Sequence, residues 1–175
     1  MEPLTERLCH MLTHEIVLFR FVKSYLHTLL ADIEAAEMTF QPSAGINTPS
    51  WIVGHLAIAN DLAGKYLGLA PVCPPEWGQY FSPGTQPVPG EGQTFPSKAV
   101  LLDTFDRGHA AVLAAAAEAR PELLDQPHDI PVEYVRTTFP TKGNFIAHLM
   151  TTHAATHLGQ LSVWRRLTGR PPVLG

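Results

Sequence analysis

Two histidines, His153 and His157, stand four residues apart in a segment that otherwise has the composition of a buried helix. An α-helix turns by about 100° per residue, so positions i and i+4 lie within about 40° of each other on one face. This spacing directs both imidazole rings to the same place. Divalent transition metals are commonly bound by imidazoles, so the pair predicts part of a metal site.

A third imidazole, on another predicted helix, is placed to complete this site. His153 and His157 continue an apolar stripe that comprises Ile146, Leu149, Met150, Leu161 and Trp164. His55 lies within, or at the edge of, a stripe that comprises Ile52, Leu56, Ala59, Leu62, Ala63 and Tyr66. The apolar faces of packed helices oppose one another. We therefore expect His55, His153 and His157 to bind one divalent ion, with ring nitrogens about 2.0–2.2 Å from it.

The other histidines have weaker support as ligands. His10 and His14 repeat the four-residue spacing, but both lie roughly 100–140° from the apolar stripe of their helix, which predicts positions at the rim or in solvent. His148 lies about 140° from His153 by the same rule and is expected to point elsewhere. His109 lies near the apolar side of its helix, a position typical of a hydrogen-bonded packing residue. No pattern supports a role for the two others, His27 and His128.

An acidic residue, Glu15, interrupts the apolar stripe of the first predicted helix between Met11 and Leu18. A buried carboxylate is costly unless it is paired or bound to something. Three interpretations remain open: Glu15 is a fourth ligand or a partner of the ligands, it lines a polar pocket, or the helix is rotated so that the carboxylate is exposed. Glu15 is also the one candidate for a catalytic acid or base besides the metal.

Four helical segments carry these residues, and they predict an all-α fold, a four-helix bundle with long connecting loops formed by one domain over residues 1–175. The segments span about 3–33, 48–68, 97–120 and 142–168. Apolar residues at helical spacing define the first of them: Leu4, Leu8, Met11, Leu18, Phe19, Val22, Leu26, Leu29 and Ile33. Boundary signals define the others, namely Thr48 and Pro49 at one start, Ser97 at another, and Gly169 at the last end.

Two connections are unusually long. The connection over 69–96 is rich in Pro and Gly but also contains Trp77, Tyr80 and Phe81. Aromatic residues argue against disorder, so we expect this segment to pack near His55, as a lid or a subunit contact. In the connection over 121–141, residues 130–132 and 134–135 have a composition that allows extended backbone.

Composition excludes several classes of function. The formal net charge is −4, only 16% of the residues are charged, and no run of Lys and Arg is present, which argues against binding to nucleic acid. No apolar run approaches the ~20 residues of a membrane span, so a membrane is not expected as a partner. Two cysteines, Cys9 and Cys73, are too few for a disulfide framework, and they do not have the spacing of metal ligands. Unpaired thiols are typical of a reducing compartment, and we expect a cytoplasmic protein.

The chain resembles the DinB-like superfamily, also called DinB/YfiT-like metalloenzymes. The resemblance rests on Trp51–Leu56, which reads WIVGHL, on His153–Gln160, which reads HAATHLGQ, and on the tail from Leu161 to Arg170. The order of the helices and the long loop after the second are similar too. The resemblance implies a metal site at His55, His153 and His157. It also implies a homodimer formed through helix faces and, in some members, reactions that depend on mycothiol, bacillithiol or glutathione.

Three neutral imidazoles leave at least one coordination position open for water or substrate, which is typical of catalytic sites. Zinc or nickel are the ions we favour, with iron as an alternative, although ligand type does not decide among them. The main hypothesis is a metal-dependent enzyme that transfers a low-molecular-weight thiol or hydrolyses a small molecule. The alternative is a non-catalytic metal- or ligand-binding bundle that acts through dimer contacts.

Overall fold

The computed structural model describes residues 12–174, and over these residues the fold is α-helical. The longer helices are α1 (Thr13–Leu30), α2 (Pro49–Tyr66), α4 (Lys98–Ala117) and α8 (Ala154–Leu167). The shorter ones are α3 (Trp77–Phe81), α5 (Pro121–Leu124), α6 (Glu133–Thr138) and α7 (Lys142–His148). A π-helical turn over Leu149–His153 joins α7 to α8, and a 3₁₀ turn over Ala35–Glu37 follows α1. An isolated bridge between Pro127 and Thr141 is the extended pairing found within this range. The predicted all-α class is confirmed.

Side-chain caps fix the starts of three helices. Thr48 accepts a hydrogen bond from the backbone of Trp51, with Pro49 at the first helical position of α2. Ser97 caps α4 by accepting from Val100 N, and Thr141 caps α7 by accepting from Asn144 N. These caps satisfy backbone N–H groups that have no partner inside the helix. The starts that the sequence predicted for these segments are therefore confirmed.

The long helices pack around one apolar core. α2 lies at the centre of the arrangement, where it contacts α3, α4 and α8, while α1 packs against α4, α8 and the π-helical turn. α2 is buried along most of its length, which explains why apolar residues occupy nearly every side of it. Large side chains that solvent does not reach fill the centre, among them Phe19, Leu26, Leu29, Ile52, Phe105 and Trp164. His55 and His157 are buried in the same region.

Local structure differs from the sequence analysis in two places. Leu18 was expected in the apolar stripe of α1, but its side chain is 52% exposed, because the buried face of α1 runs through Phe19 and Val22 instead. The composition of residues 134–135 allowed extended backbone, but they lie in α6, where Thr137 Oγ1 donates to the carbonyl oxygen of Glu133 within one helical turn.

The connection over 69–96 packs against α2 through the short helix α3. Trp77 and Phe81 of α3 are buried, and Tyr80 is half-buried. Further along the connection, Thr85 Oγ1 accepts from Trp51 Nε1 at 2.8 Å. This agrees with the expectation that the aromatic residues of the connection lie near His55. Over the described range, none of the helices combines the length and apolar character needed to span a membrane.

Candidate metal centre

Three imidazole rings converge between α2 and the helical segment that α7, the π-helical turn and α8 form together. His55 Nε2 and His153 Nε2 are 3.1 Å apart. The ring centroids are 5.1 Å apart for His55 and His153, 4.4 Å for His55 and His157, and 4.6 Å for His153 and His157. One nitrogen from each ring lies within 4.8 Å of those from the other two. Nitrogens bound to a tetrahedral zinc are roughly 3.3–3.4 Å from one another, so the cluster has the size of a metal site.

Packing holds the His55 ring in place. The indole of Trp51 stacks on it with centroids 4.7 Å apart and an interplanar angle of 8°. Trp51 also lies near the His157 ring, at 6.0 Å between centroids. His55 is 5% exposed and His157 is 8% exposed. The indole therefore forms an apolar wall on one side of the cluster, which limits the access of water to two of the three imidazoles.

Hydrogen bonds to the outer ring nitrogens orient two of the imidazoles. The carbonyl oxygen of Phe81, the last residue of α3, lies 2.7 Å from His55 Nδ1. Gln160 Oε1 lies 3.1 Å from His157 Nδ1 and also accepts from Asn47 Nδ2 at 3.0 Å. Ligand histidines almost always donate their second ring nitrogen in this way. The Phe81 carbonyl has no signature in the sequence.

These contacts fix the tautomers of the metal-free cluster. A carbonyl oxygen only accepts, so Nδ1 of His55 carries the proton and Nε2 has a lone pair. The hydrogen in the 3.1 Å contact then belongs to His153 Nε2, which leaves a lone pair on His153 Nδ1. Nδ1 of His153 is buried and has no hydrogen-bond partner among residues 12–174. A buried acceptor without a partner is costly. Three neutral imidazoles that each have a lone pair on one ring nitrogen form a ligand set that fits a divalent metal.

Burial keeps the imidazoles neutral. It lowers the pKa of His153 to about 3, where the neighbouring His157 and His55 rings also disfavour the charged form. It lowers the pKa of His157 to about 4, and it lowers the pKa of His55 as well. Only the neutral ring can bind a metal. All three side chains are therefore in the ligating form at neutral pH.

A fourth imidazole, His148, lies beside the cluster, with its centroid 5.7 Å from that of His153. The expectation that it points elsewhere was wrong, because Leu149–His153 form a π-helical turn. A π-helix advances by roughly 80° per residue, so five residues complete slightly more than one turn. His148 Nδ1 lies 2.7 Å from Thr152 Oγ1, and its ring stacks on Phe139 at 4.1 Å. Helical spacing alone gives no sign of this turn.

Glu15 lies apart from the three-histidine group. It is half-buried at a cleft of about 210 Å³ that it shares with Leu12, Leu124, Asp125, Thr141, Gly143, Asn144 and Ala147. Four of the eight residues that line this cleft, Glu15, Asp125, Thr141 and Asn144, have polar side chains, as the polar-pocket interpretation requires. His55, His153 and His157 do not line this cleft. Glu15 is therefore not a fourth ligand within the cluster. Its catalytic role stays a prediction.

The remaining histidines make structural contacts. His109 is buried, and its Nε2 donates to the carbonyl oxygen of Phe19, as expected for a packing residue. His128 Nε2 donates to the carbonyl oxygen of Phe139, and His27 Nε2 lies 2.9 Å from Asp106 Oδ1. His14 is exposed to solvent, in agreement with its predicted position. His10 and Cys9 lie outside the described residues.

A sequence model of the DinB superfamily matches residues 18–161, which include α1 from its sixth residue and all three ligand candidates. The match covers most of the chain and both histidine-bearing segments. No curated protein sequence shows significant similarity to the chain.

Proposed function

The chain belongs to the DinB superfamily, and we propose that it is a metal-dependent enzyme whose reaction takes place at the three-histidine cluster. The observation that carries this proposal is the convergence of three neutral imidazoles, of which His153 has a buried nitrogen without a partner. Three protein ligands are typical of catalytic zinc sites, whereas structural sites usually have four. His55, His153 and His157 are the residues that would hold the ion.

A bound metal would supply a Lewis acid that activates water or binds a thiol as its thiolate. Zinc or nickel are the ions we favour, and iron is an alternative. The chain's own residues prepare the site for it. The Phe81 carbonyl and Gln160 Oε1 hold two rings in the tautomer that leaves Nε2 free, and Trp51 shields them from water.

The substrate class that we propose is a low-molecular-weight thiol together with a small acceptor molecule, or a small molecule that is hydrolysed. The resemblance to thiol-dependent members of the superfamily supports the first. Cys73 does not supply a thiolate, because burial and the carboxylate of Asp61 raise the pKa of its thiol far above neutral. Cys73 is the one cysteine among residues 12–174, so we propose that a reacting thiol comes from solution and that the compartment is the reducing cytoplasm.

The alternative function is a non-catalytic binding protein that acts through dimer contacts. An exposed apolar face on α1 favours contact with a second copy of the chain. Val17, Leu18 and Phe21 are each more than half exposed there. Beside them lies an almost wholly apolar groove of about 330 Å³ between α1 and the start of α8. Exposed apolar patches of this kind commonly mark interaction surfaces. We propose a homodimer through this face for either function.

Metal analysis of the purified protein, followed by thermal denaturation with glutathione, mycothiol or bacillithiol, tests the proposal. We expect one transition-metal ion per chain. A thiol that binds through the metal should raise the melting temperature of the metal-loaded protein and leave that of the chelated protein unchanged. Equal shifts in both forms would show that the thiol binds elsewhere. A protein that binds no transition metal would contradict the proposed enzyme and favour the alternative function.

A further inference from the structure

The residue before His55 is Gly54, and the Phe81 ring occupies the space that a side chain at position 54 would fill. A Cβ atom built on Gly54 would lie 2.5 Å from Cγ and Cδ2 of Phe81, well inside van der Waals contact. The Phe81 ring is 0% exposed and also contacts the rings of Trp77 and Phe95. It therefore has little freedom to move away. Glycine is required here because of close approach, since α2 has ordinary helical backbone at this position.

The seating of this ring determines where the end of α3 lies. Phe81 is the last residue of α3, so its carbonyl oxygen has no partner within that helix. That oxygen accepts from His55 Nδ1 at 2.7 Å. One residue thus contacts two neighbours on α2, with its ring against Gly54 and its carbonyl against His55. A displacement of the ring by a side chain at position 54 would move the carbonyl with it.

We propose that Gly54 is a positioning residue for the metal site: it seats the Phe81 ring, so that the Phe81 carbonyl holds His55 with the proton on Nδ1 and the lone pair on Nε2. This inference rests on the proposed metal-binding function, because it assigns Gly54 a role in metal affinity. It also couples the 69–96 connection to the ligands. By linkage, whatever loosens α3 weakens metal binding, and bound metal stabilises the docked α3.

Other contacts keep the connection attached to α2 independently of Gly54. Thr85 Oγ1 accepts from Trp51 Nε1 and donates towards the carbonyl oxygens of Tyr80 and Ser82 at 2.8 and 2.9 Å. Thr48 Oγ1 donates to the carbonyl oxygen of Pro87. A variant at position 54 should therefore shift α3 locally without releasing the whole segment. This separates the positioning role from a general role in folding.

The test compares Gly54→Ala with Gly64→Ala, a matched control on the same helix. A Cβ at position 64 meets its nearest neighbour, Cβ of Leu69, at 3.4 Å, which is ordinary contact. Long-range ¹⁵N–¹H NMR of the metal-free protein reports the tautomer of His55. We expect Gly54→Ala to lose the predominance of the Nδ1–H form, whereas Gly64→Ala keeps it. Zinc affinity, measured by competition with a chelator, should fall about 10–100-fold for Gly54→Ala and stay within about twofold for Gly64→Ala.

A double-mutant cycle with Phe81→Ala identifies the ring as the intermediary. If Gly54 acts by making room for this ring, Gly54→Ala should have little further effect on zinc affinity in the Phe81→Ala background. Effects that add in full would overturn the inference. Should Gly54→Ala alone prevent folding, Phe81→Ala carries the test. An unchanged His55 tautomer and unchanged zinc affinity in that variant would likewise overturn it.

The two readouts distinguish failure of the inference from failure of the proposed function. The His55 tautomer is measured without metal, so it tests the positioning role even if the wild-type chain binds no zinc. A wild-type protein without zinc affinity but with a tautomer shift in Gly54→Ala would reject the metal site and keep the positioning role. A wild-type protein that binds zinc, with no tautomer shift in Gly54→Ala, would reject the positioning role and keep the metal site.

Discussion

His55 Nε2 and His153 Nε2 face each other at 3.1 Å, and the bond from His55 Nδ1 to the Phe81 carbonyl determines which of them carries the hydrogen. His55 has its proton on Nδ1, so His153 must donate, and its own Nδ1 is then left buried without a partner. The metal-free cluster therefore includes one unfavourable feature. A metal ion at the cluster would replace the contact between the two Nε2 atoms, whereas the bonds of His55 Nδ1 to Phe81 and of His157 Nδ1 to Gln160 could stay as they are.

Metal should stabilise the folded protein through His153. An ion that binds only the folded state at a hundredfold excess over its dissociation constant adds about 2.7 kcal/mol to the free energy of unfolding. We expect a chelator to lower the melting temperature of the wild-type protein, and His153→Ala to abolish that difference. Differential scanning calorimetry with and without chelator measures it. His14→Ala, which changes an exposed histidine on α1, should retain the full effect. A chelator-insensitive wild-type protein would contradict this prediction.

The stability of the metal-free protein should fall as the pH is lowered below about 6.5. The pKa of His153 is lowered to about 3 and that of His157 to about 4, whereas both are near 6.5 in the unfolded chain. Between these values the unfolded state binds more protons than the folded state, so acid favours unfolding. Each of the two residues should contribute a slope of about 1.4 kcal/mol per pH unit between roughly pH 4 and pH 6.

Urea denaturation at several pH values, in the presence of a chelator, measures this slope. His153→Leu should reduce it by about 1.4 kcal/mol per pH unit, because it removes one group that binds a proton in the unfolded chain but not in the folded protein over this range. His14→Ala serves as the control and should leave the slope unchanged. Equal slopes for the wild type and His153→Leu would mean that His153 is protonated as readily in the folded protein as in the unfolded chain.

Gln160 should tune metal affinity through His157. Gln160→Ala removes the acceptor for His157 Nδ1 and should weaken zinc binding about 10–100-fold. Gln160→Glu supplies a charged acceptor and should keep the affinity or raise it. Asn47→Ala removes only the group that donates to Gln160, so its effect should be smaller than that of Gln160→Ala. Chelator competition measures each affinity.

A control on the same helix is available for this series. Thr156 is exposed, and its hydroxyl donates to the carbonyl oxygen of Thr152 rather than to a ligand. Thr156→Ala should therefore bind zinc as the wild type does. An affinity for Gln160→Ala that matches that of Thr156→Ala would show that the contact between Gln160 and His157 has no influence on the metal.

The ligand candidates could be predicted because helical periodicity contains the relevant information. His153 and His157 continue an apolar stripe, and His55 lies on the stripe of a helix that must pack against it, so convergence follows from burial. His148 could not be placed in the same way. The angular rule assumes α-helix throughout, and the π-helical turn over Leu149–His153 changes the rotation between His148 and His153.

Helical periodicity in the sequence also could not predict which backbone carbonyls accept hydrogen bonds or which apolar side chains are exposed. The Phe81 carbonyl orients His55, but every residue has a carbonyl, so the sequence does not indicate which one is used. Leu18 and Phe19 are both apolar and adjacent, and periodicity did not separate the exposed side chain from the buried one. Glu15 remained ambiguous because the partners that decide its environment come from distant segments.

The exposed apolar face of α1 should hold two copies of the chain together. Phe21 is 52% exposed, it stacks on Tyr25 at 5.6 Å, and it lines the apolar groove beside α8. Phe21→Ser removes the largest of the exposed apolar side chains on this face and should convert a dimer into a monomer. This side chain contributes little to the core. The melting temperature of the metal-bound protein should therefore fall only by the amount that the dimer contact contributes.

Light scattering coupled to size-exclusion chromatography measures the mass of each variant. Tyr134→Ser is the matched control, since Tyr134 is an aromatic side chain that is 72% exposed but lies on α6, away from the α1 groove. It should keep the mass of the wild type. A wild-type mass of one chain, or a dimer that survives Phe21→Ser at micromolar concentration, would show that this face does not form the interface.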